Sequence, residues 1–273
     1  MTAEAVAVPA RPVRQKFRLP NWAYPTIAVI LLIVIWDVSI RIFDVKAFIL
    51  PTPEQVAYAL WRDWNQLGPG MLYTLYEILA GFAIAVVVGI GLAILIVSSH
   101  IMEKTIYPIL VGSQVVPKVA IAPLFVMWFG FGITPKILVA FLIAFFPMVI
   151  STAIGLRSVE IPKLYLARSM GASVLQVFFK IRLPHALPSI FAGLKLAITA
   201  AVIGAIVGEF IGADQGIGRV LLIANGNLKT DTLFAGIVLL SITGVVLFLI
   251  VDVLEKVAVR WHVSQRMKYD VAQ

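Results

Sequence analysis

The chain has 273 residues, no cysteine and a formal net charge of +8. Hydrophobic residues make up 61% of it and charged residues only 13%, with a mean hydropathy of +0.99. A soluble globular domain is excluded, as are a disulfide framework and a thiolate metal site. The basic residues flank long apolar runs, so the charge follows membrane topology and nucleic acid is not an expected partner.

Residues 1–20 carry Arg11, Arg14, Lys16 and Arg18 among prolines and small residues and read as a cytoplasmic tail. A transmembrane domain is expected over 21–257 and a second cytoplasmic tail over 258–273. The first apolar run, about Trp22–Ile42, lacks a small-residue cleavage site and reads as a retained span with Trp22 and Tyr24 at the interface. In Pro51–Leu67, Thr52, Pro53 and Gln55 resemble a capped helix start. Ala57, Leu60, Trp61 and Trp64 share a face opposite Arg62 and Asp63, so an outer interfacial helix is predicted over about 52–65.

Span two covers about Met71–Ser98, with Glu77 near its outer end. Span three, about Thr105–Trp128, contains Gln114, Pro117, Lys118 and Pro123. Its two prolines predict a kinked or broken helix whose freed backbone groups face protein or a cavity. Gly130–Pro135 turns the chain into span four, about Lys136–Gly155. Span five follows at about Pro188–Ile211 and span six at about Leu233–Lys256, with Asp231 or Thr232 as a candidate cap. The result is an all-α, six-span membrane protein.

Six spans place both termini on one side. Fourteen of the 22 basic residues fall on that side: four at the N-terminus, Lys104, five between Arg157 and Arg182, and Lys256, Arg260, Arg266 and Lys268. Arg41, Lys46, Arg62, Lys136, Arg219 and Lys229 fall on the other, and Lys118 and Lys195 lie within spans. The excess assigns the termini and the loop at about 160–184 to the cytoplasm. No internal repeat is evident, which disfavours an inverted-repeat secondary transporter.

The loop stretch Leu164–Pro184 is neither a span nor a plausible free loop. Its charges, Arg168, Lys180 and Arg182, are all basic. Val174, Leu175, Val177, Phe178 and Phe179 are too apolar to stand bare in water. Gly171 lets two short helices meet at a sharp turn, and such a segment is expected to seek a groove on a partner.

Gly171, nine residues, then Ile181-Arg182-Leu183-Pro184 resembles the signature loop of binding-protein-dependent ABC importer permeases (EAA, three residues, Gly, nine residues, I-x-L-P). Tyr165-Leu166-Ala167 keeps only the second alanine of the EAA start. Leu50-Pro51-Thr52-Pro53 is similar to the lead-in to the family's second span. Val116-Pro117-Lys118 through Trp128-Phe129-Gly130 resembles the third-span signature of the nitrate, sulfonate, taurine and pyrimidine-precursor branch. Gly208-Glu209-Phe210-Ile211-Gly212 and Gly216-Ile217-Gly218 resemble that branch's fifth-span exit.

The resemblance implies a type I importer in a bacterial cytoplasmic membrane. Its permease dimer, expected to be a homodimer, works with a cytoplasmic ATPase dimer and an external substrate-binding protein. Tyr165, Ala167, Arg168, Gly171, Ala172, Ile181, Leu183 and Pro184 would then form the ATPase-coupling loop. The sequence has no G-x-x-x-x-G-K-[ST] phosphate cradle, so ATP and Mg²⁺ are expected on the partner ATPase and no cofactor or metal on this chain. No catalytic residue set appears.

Pathway candidates are Gln114, Lys118, Met127, Glu77 and Glu209. Lys118 reads either as an interfacial lysine snorkelling or paired near the end of span three, or as a cavity lysine attractive to an anion. Glu209 reads as an outer gate or pairing residue, or as interfacially exposed. Glu77 hints at a heterocyclic substrate, and Gln114, Met127 and Trp128 are alternatively core. Gly204, Gly208 and Gly212 share a helix-packing face. Lys195 is expected at the cytoplasmic interface. His100, His185 and His262 are too scattered for a metal site. The alternative function is an ion-coupled secondary transporter, with Lys118 its one supporting feature.

Overall fold

The computed structural model describes Pro20, residues 23–212 and residues 214–259. Trp22, His262 and nearly all of both tails lie outside the described residues. Contacts divide the chain between Lys46 and Ala47. The first unit holds α1 (Ala23–Ile42), an apolar 20-residue helix with an Asp37–Arg41 ion pair one turn apart at 2.8 Å.

The second unit begins with α2 (Pro53–Arg62). Thr52 caps it in a full capping box, its hydroxyl accepting from the Gln55 N–H while the Gln55 side chain accepts from the Thr52 N–H. The helix ends at Arg62, three residues short of the predicted end at 65. The second span starts earlier than predicted: α3 runs unbroken over Trp64–Ser98, through Gly68-Pro69-Gly70. Gly70 is buried with a Cβ position only 3.2 Å from the Gly216 backbone. Packing holds the helical path there despite the N–H that Pro69 lacks.

Span three is broken. It comprises α4 (His100–Ser113), a 3₁₀ turn (Lys118–Ile121) and α5 (Ala122–Phe129), with an 89° bend between the first and last parts. Pro117 and Pro123 bracket the 3₁₀ turn. Then come α6 (Ile133–Arg157), α7 (Ile161–Ser169) and α8 (Val174–Val177). Five residues of π-helix (Phe178–Arg182) lead directly into α9 (Leu183–Gly212). The helix that carries the fifth span starts earlier than Pro188: apolar helix runs from Val174 to Gly212, because the π turn absorbs the change of pitch ahead of Pro184.

A short helix absent from the predicted elements, α10 (Ile217–Gly226), precedes α11 (Thr230–Ala258). Lys229, not Asp231 or Thr232, occupies the N-cap position of α11. Asp231 and Thr232 point instead into a polar knot with α2. Among the described residues five helices are long and apolar enough to cross a membrane, and six spans result when the bent α4–α5 pair counts as one.

The core is α6 packed between α3 and α9. Ala140 of α6 is the pivot: the Cβ position of Gly81 on α3 lies 2.6 Å from its Cβ, and that of Gly204 on α9 lies 2.6 Å from its Cα. Gly208 meets the Lys136 Cα at 2.9 Å one turn further on. Small residues at these points let three backbones approach as closely as membrane helices do. A second layer, Ala93, Ile96, Leu110, Phe146, Val149 and Ala153, joins α4 to α3 and α6.

Candidate coupling surface and translocation pathway

At one end of the unit, α7 and α8 meet at Gly171. The Gly171 N–H donates to the Arg168 carbonyl at 2.9 Å and the Ala172 N–H to the Ala167 carbonyl at 3.0 Å. With Gly171 at φ +81° this is a Schellman stop for α7. Ser173 and Gln176 then start α8 with a second capping box. Two opposed signals, stop and start, are packed into four residues and fix the angle between the helices.

The faces so presented are apolar and bare. Tyr165, Leu166, Met170, Val174, Leu175 and Phe179 are all more than half exposed, an unusually large apolar patch for a segment beyond the spans. Beneath it, Ile94 and Val97 of α3 together with Val177, Phe178, Arg168 and Arg182 line a cleft of 500 Å³. Of the predicted loop residues, Tyr165, Arg168, Gly171 and Ala172 belong to this two-helix unit. Ile181, Leu183 and Pro184 form the π-to-α junction that carries it.

The pathway candidates fall into two groups. Gln114, Lys118 and Met127 lie along the broken span. Lys118 Nζ donates to the Gln114 carbonyl at 3.4 Å and stands over the Phe146 ring at 4.6 Å, while Met127 and Trp128 beyond the bend are largely exposed. Lys195 binds Asp252 and Glu255 of α11, each at 2.5 Å, and ties α9 to α11.

Glu77 and Glu209 form the second group and are fully buried at the end opposite the α7–α8 loop. Lys136, which the charge count placed on the outer side, is buried with them, its Nζ 3.3 Å from Glu77. Nothing in one sequence signals this meeting, because the three residues come from α3, α6 and α9. Glu209 accepts from the Thr74 hydroxyl and from the Gly218 N–H, both at 2.5 Å, which fastens α10 to the bundle. Gly204 and Gly208 face α6, and Gly212 faces Val126 and Phe131.

At the same end Arg62 joins Asp63 at 2.7 Å and Asp231 at 2.9 Å, and the Thr232 hydroxyl donates to Asp63 at 2.6 Å. The Arg62 guanidinium holds the Asp63 carboxyl below the usual carboxylate range. Asp63→Asn is therefore expected to lower stability at neutral pH by about 1 kcal/mol, since Arg62 is partly solvated. A depressed acid contributes stability that is present above its unfolded value and lost as pH falls, so the deficit should close below about pH 4 in thermal unfolding.

These features together define a multi-pass membrane permease whose exposed helical loop leaves it dependent on a partner. A family model described as "Binding-protein-dependent transport system inner membrane component" matches residues 85–260. The formylaminopyrimidine transport permease of Halalkalibacterium halodurans is 35% identical over 88% of this chain and 96% of its own length. The riboflavin transport system permease of Chloroflexus aurantiacus is 34% identical over 92% and 94%. The taurine transport permease of Escherichia coli is 30% identical over 91% and 94%. In fold, the chain resembles the inward-facing MetNI methionine ABC transporter, with a TM-score of 0.61 over 72% of this chain and 98% of the other at 18% identity.

The chain belongs to the family of binding-protein-dependent transport system inner membrane components. It is an ABC importer permease, a multi-pass inner-membrane subunit that works with a partner permease, a binding protein and ATPase subunits, and ATP hydrolysis takes place on the latter.

Proposed function

We propose that two copies of this chain form the translocation pathway, with both termini and the α7–α8 loop in the cytoplasm. The exposed apolar face of α7–α8 carries this reading: it is the surface an ATPase cleft would cover. The ATPase dimer holds ATP and Mg²⁺, this chain binds no cofactor, and Tyr165, Arg168 and Ala172 lie on the docking unit. Closure of the ATPases moves the α7–α8 unit as a rigid body and shifts the pathway between inward and outward openings. Gln114, Lys118 and Met127 line the path at the break in span three, where freed backbone groups need a wet cavity.

The cargo is a small heterocyclic or anionic solute brought by the external binding protein. The names of the formylaminopyrimidine and riboflavin relatives favour the heterocycle. Co-purification of the tagged permease from its native membrane tests the reading. An ATPase is expected in the eluate, with hydrolysis stimulated on reconstitution with the binding protein. Purification of the permease alone, with uptake driven by an ion gradient without ATP, would overturn it.

A further inference from the structure

The 500 Å³ cleft beneath the α7–α8 patch carries charges that an apolar docking surface leaves unused. The described arginines divide sharply. Arg41 pairs with Asp37, Arg62 with Asp63 and Arg157 with Glu103, and Arg219 donates to the Asp214 carbonyl. Only the side chains of Arg168 and Arg182 have no ion pair or hydrogen bond among the described residues, and both line this cleft. No carboxylate lines it with them among the described residues. Acids at that end of the molecule are already engaged: Glu103 with Arg157, Glu160 with Lys163, and Asp252 and Glu255 with Lys195. Two guanidinium groups sharing one cleft favour an anion from outside the chain, which arginine grips through paired N–H donors.

The rest of the lining is mostly apolar, and part of it belongs to a membrane span. Ile94 and Val97 stand on the last turns of α3, where the apolar run gives way to Ser98, Ser99 and His100. Val177 and Phe178 line the cleft from the loop. The cleft thus straddles the boundary between hydrocarbon and headgroups. A water-soluble anion would leave this apolar wall bare, and an ATPase side chain would have to reach into the edge of the bilayer to cover it. We propose that the cleft binds an anionic phospholipid from the leaflet on the α7–α8 side. Its phosphate sits between Arg168 and Arg182, and the upper part of its chains lies against Ile94, Val97, Val177 and Phe178. The volume falls in the range of small-ligand sites, about 300–1,000 Å³, and the chains continue into the bilayer. The bound lipid braces the two-helix unit against α3. The site requires only that α3 cross the bilayer, so it stands apart from the proposed orientation and from ATPase docking.

Native mass spectrometry of the purified full-length permease, titrated with phosphatidylglycerol and with phosphatidylcholine, tests the site without reference to uptake. Phosphatidylglycerol is expected to bind about tenfold more tightly or better, and Arg168→Gln and Arg182→Gln should each weaken it about fivefold. Phosphatidylcholine binding should stay as it is. Lys180→Gln removes the same charge from an exposed loop residue outside the cleft and should retain wild-type binding. Ser98→Glu adds an acid to the cleft without removing an arginine. It should weaken phosphatidylglycerol similarly, which keeps the site testable even where an arginine variant fails to fold. Equal affinity for the two lipids, selectivity that survives both arginine substitutions, or an equal loss in Lys180→Gln would each overturn the proposal. Displacement of the lipid by soluble glycerol phosphate would assign the cleft to a water-soluble anion instead. Release of the lipid when an ATPase assembles on the permease would assign it to the ATPase.

Discussion

Gly171→Pro is expected to abolish ATP-driven uptake while leaving the permease inserted in the membrane and paired. Residue 171 sits at φ +81°, which proline, fixed near −65°, cannot adopt. Proline also removes the N–H that closes α7 on the Arg168 carbonyl. Both changes act on the angle between α7 and α8, and a Cβ at this position meets no atom within 4 Å. Gly171→Ala should be a graded version, because its strain is limited to about 1 kcal/mol of left-handed backbone. Uptake into vesicles, measured beside ATPase activity, checks the prediction. Normal uptake by Gly171→Pro would show that the α7–α8 angle is not what transmits the ATPase cycle.

Gly204→Leu should act on the fold itself, eliminating monodisperse permease from detergent extracts. A Cβ at 204 would lie 2.6 Å from the Ala140 Cα and 3.0 Å from the Val139 carbonyl oxygen. These are backbone atoms of the central helix and cannot swing aside as a side chain can. Overpacking in an ordinary core costs about 1–3 kcal/mol, and a clash with backbone belongs above that range. Gly91→Leu is the control, for open space surrounds that position. Size-exclusion profiles of the two variants should differ sharply, and similar profiles would remove Ala140 from its pivotal place.

Much of this architecture was legible in the sequence because membrane spans are written locally. An apolar run needs no partner to be recognised, and Pro117 with Pro123 announced the broken span by removing backbone donors. The capping box at Thr52 and the glycine turn at residue 171 are equally local. What escaped depends on distant partners. The early start of α3 rests on Gly216, nearly 150 positions on, which packs against Gly70. Lys136 looks like an outer-side cation at the start of span four until Glu77 is found beside it. The pairing of Lys195 with Asp252 and Glu255 of α11 is likewise unwritten in its own segment. Loop residues Ile181, Leu183 and Pro184 were readable as a motif, but their helical continuity with α9 was not, because a proline near a helix start gives the same local signal whether the helix begins or continues.

That continuity has a consequence for chain length. The π turn at Phe178–Arg182 holds one residue more than an α-helix needs over the same rise. Each residue of an α-helix advances the rotation by about 100°. Deleting one residue from the π turn would return it to α pitch and leave Val174 and Leu175 close to their present bearing, whereas adding one residue to the α-helical part would swing them by about 100° around the axis. The interval of nine residues between Gly171 and Ile181 therefore works as a dial rather than a ruler. Substitutions within it change how well the surface grips, whereas an added residue changes the direction in which it points.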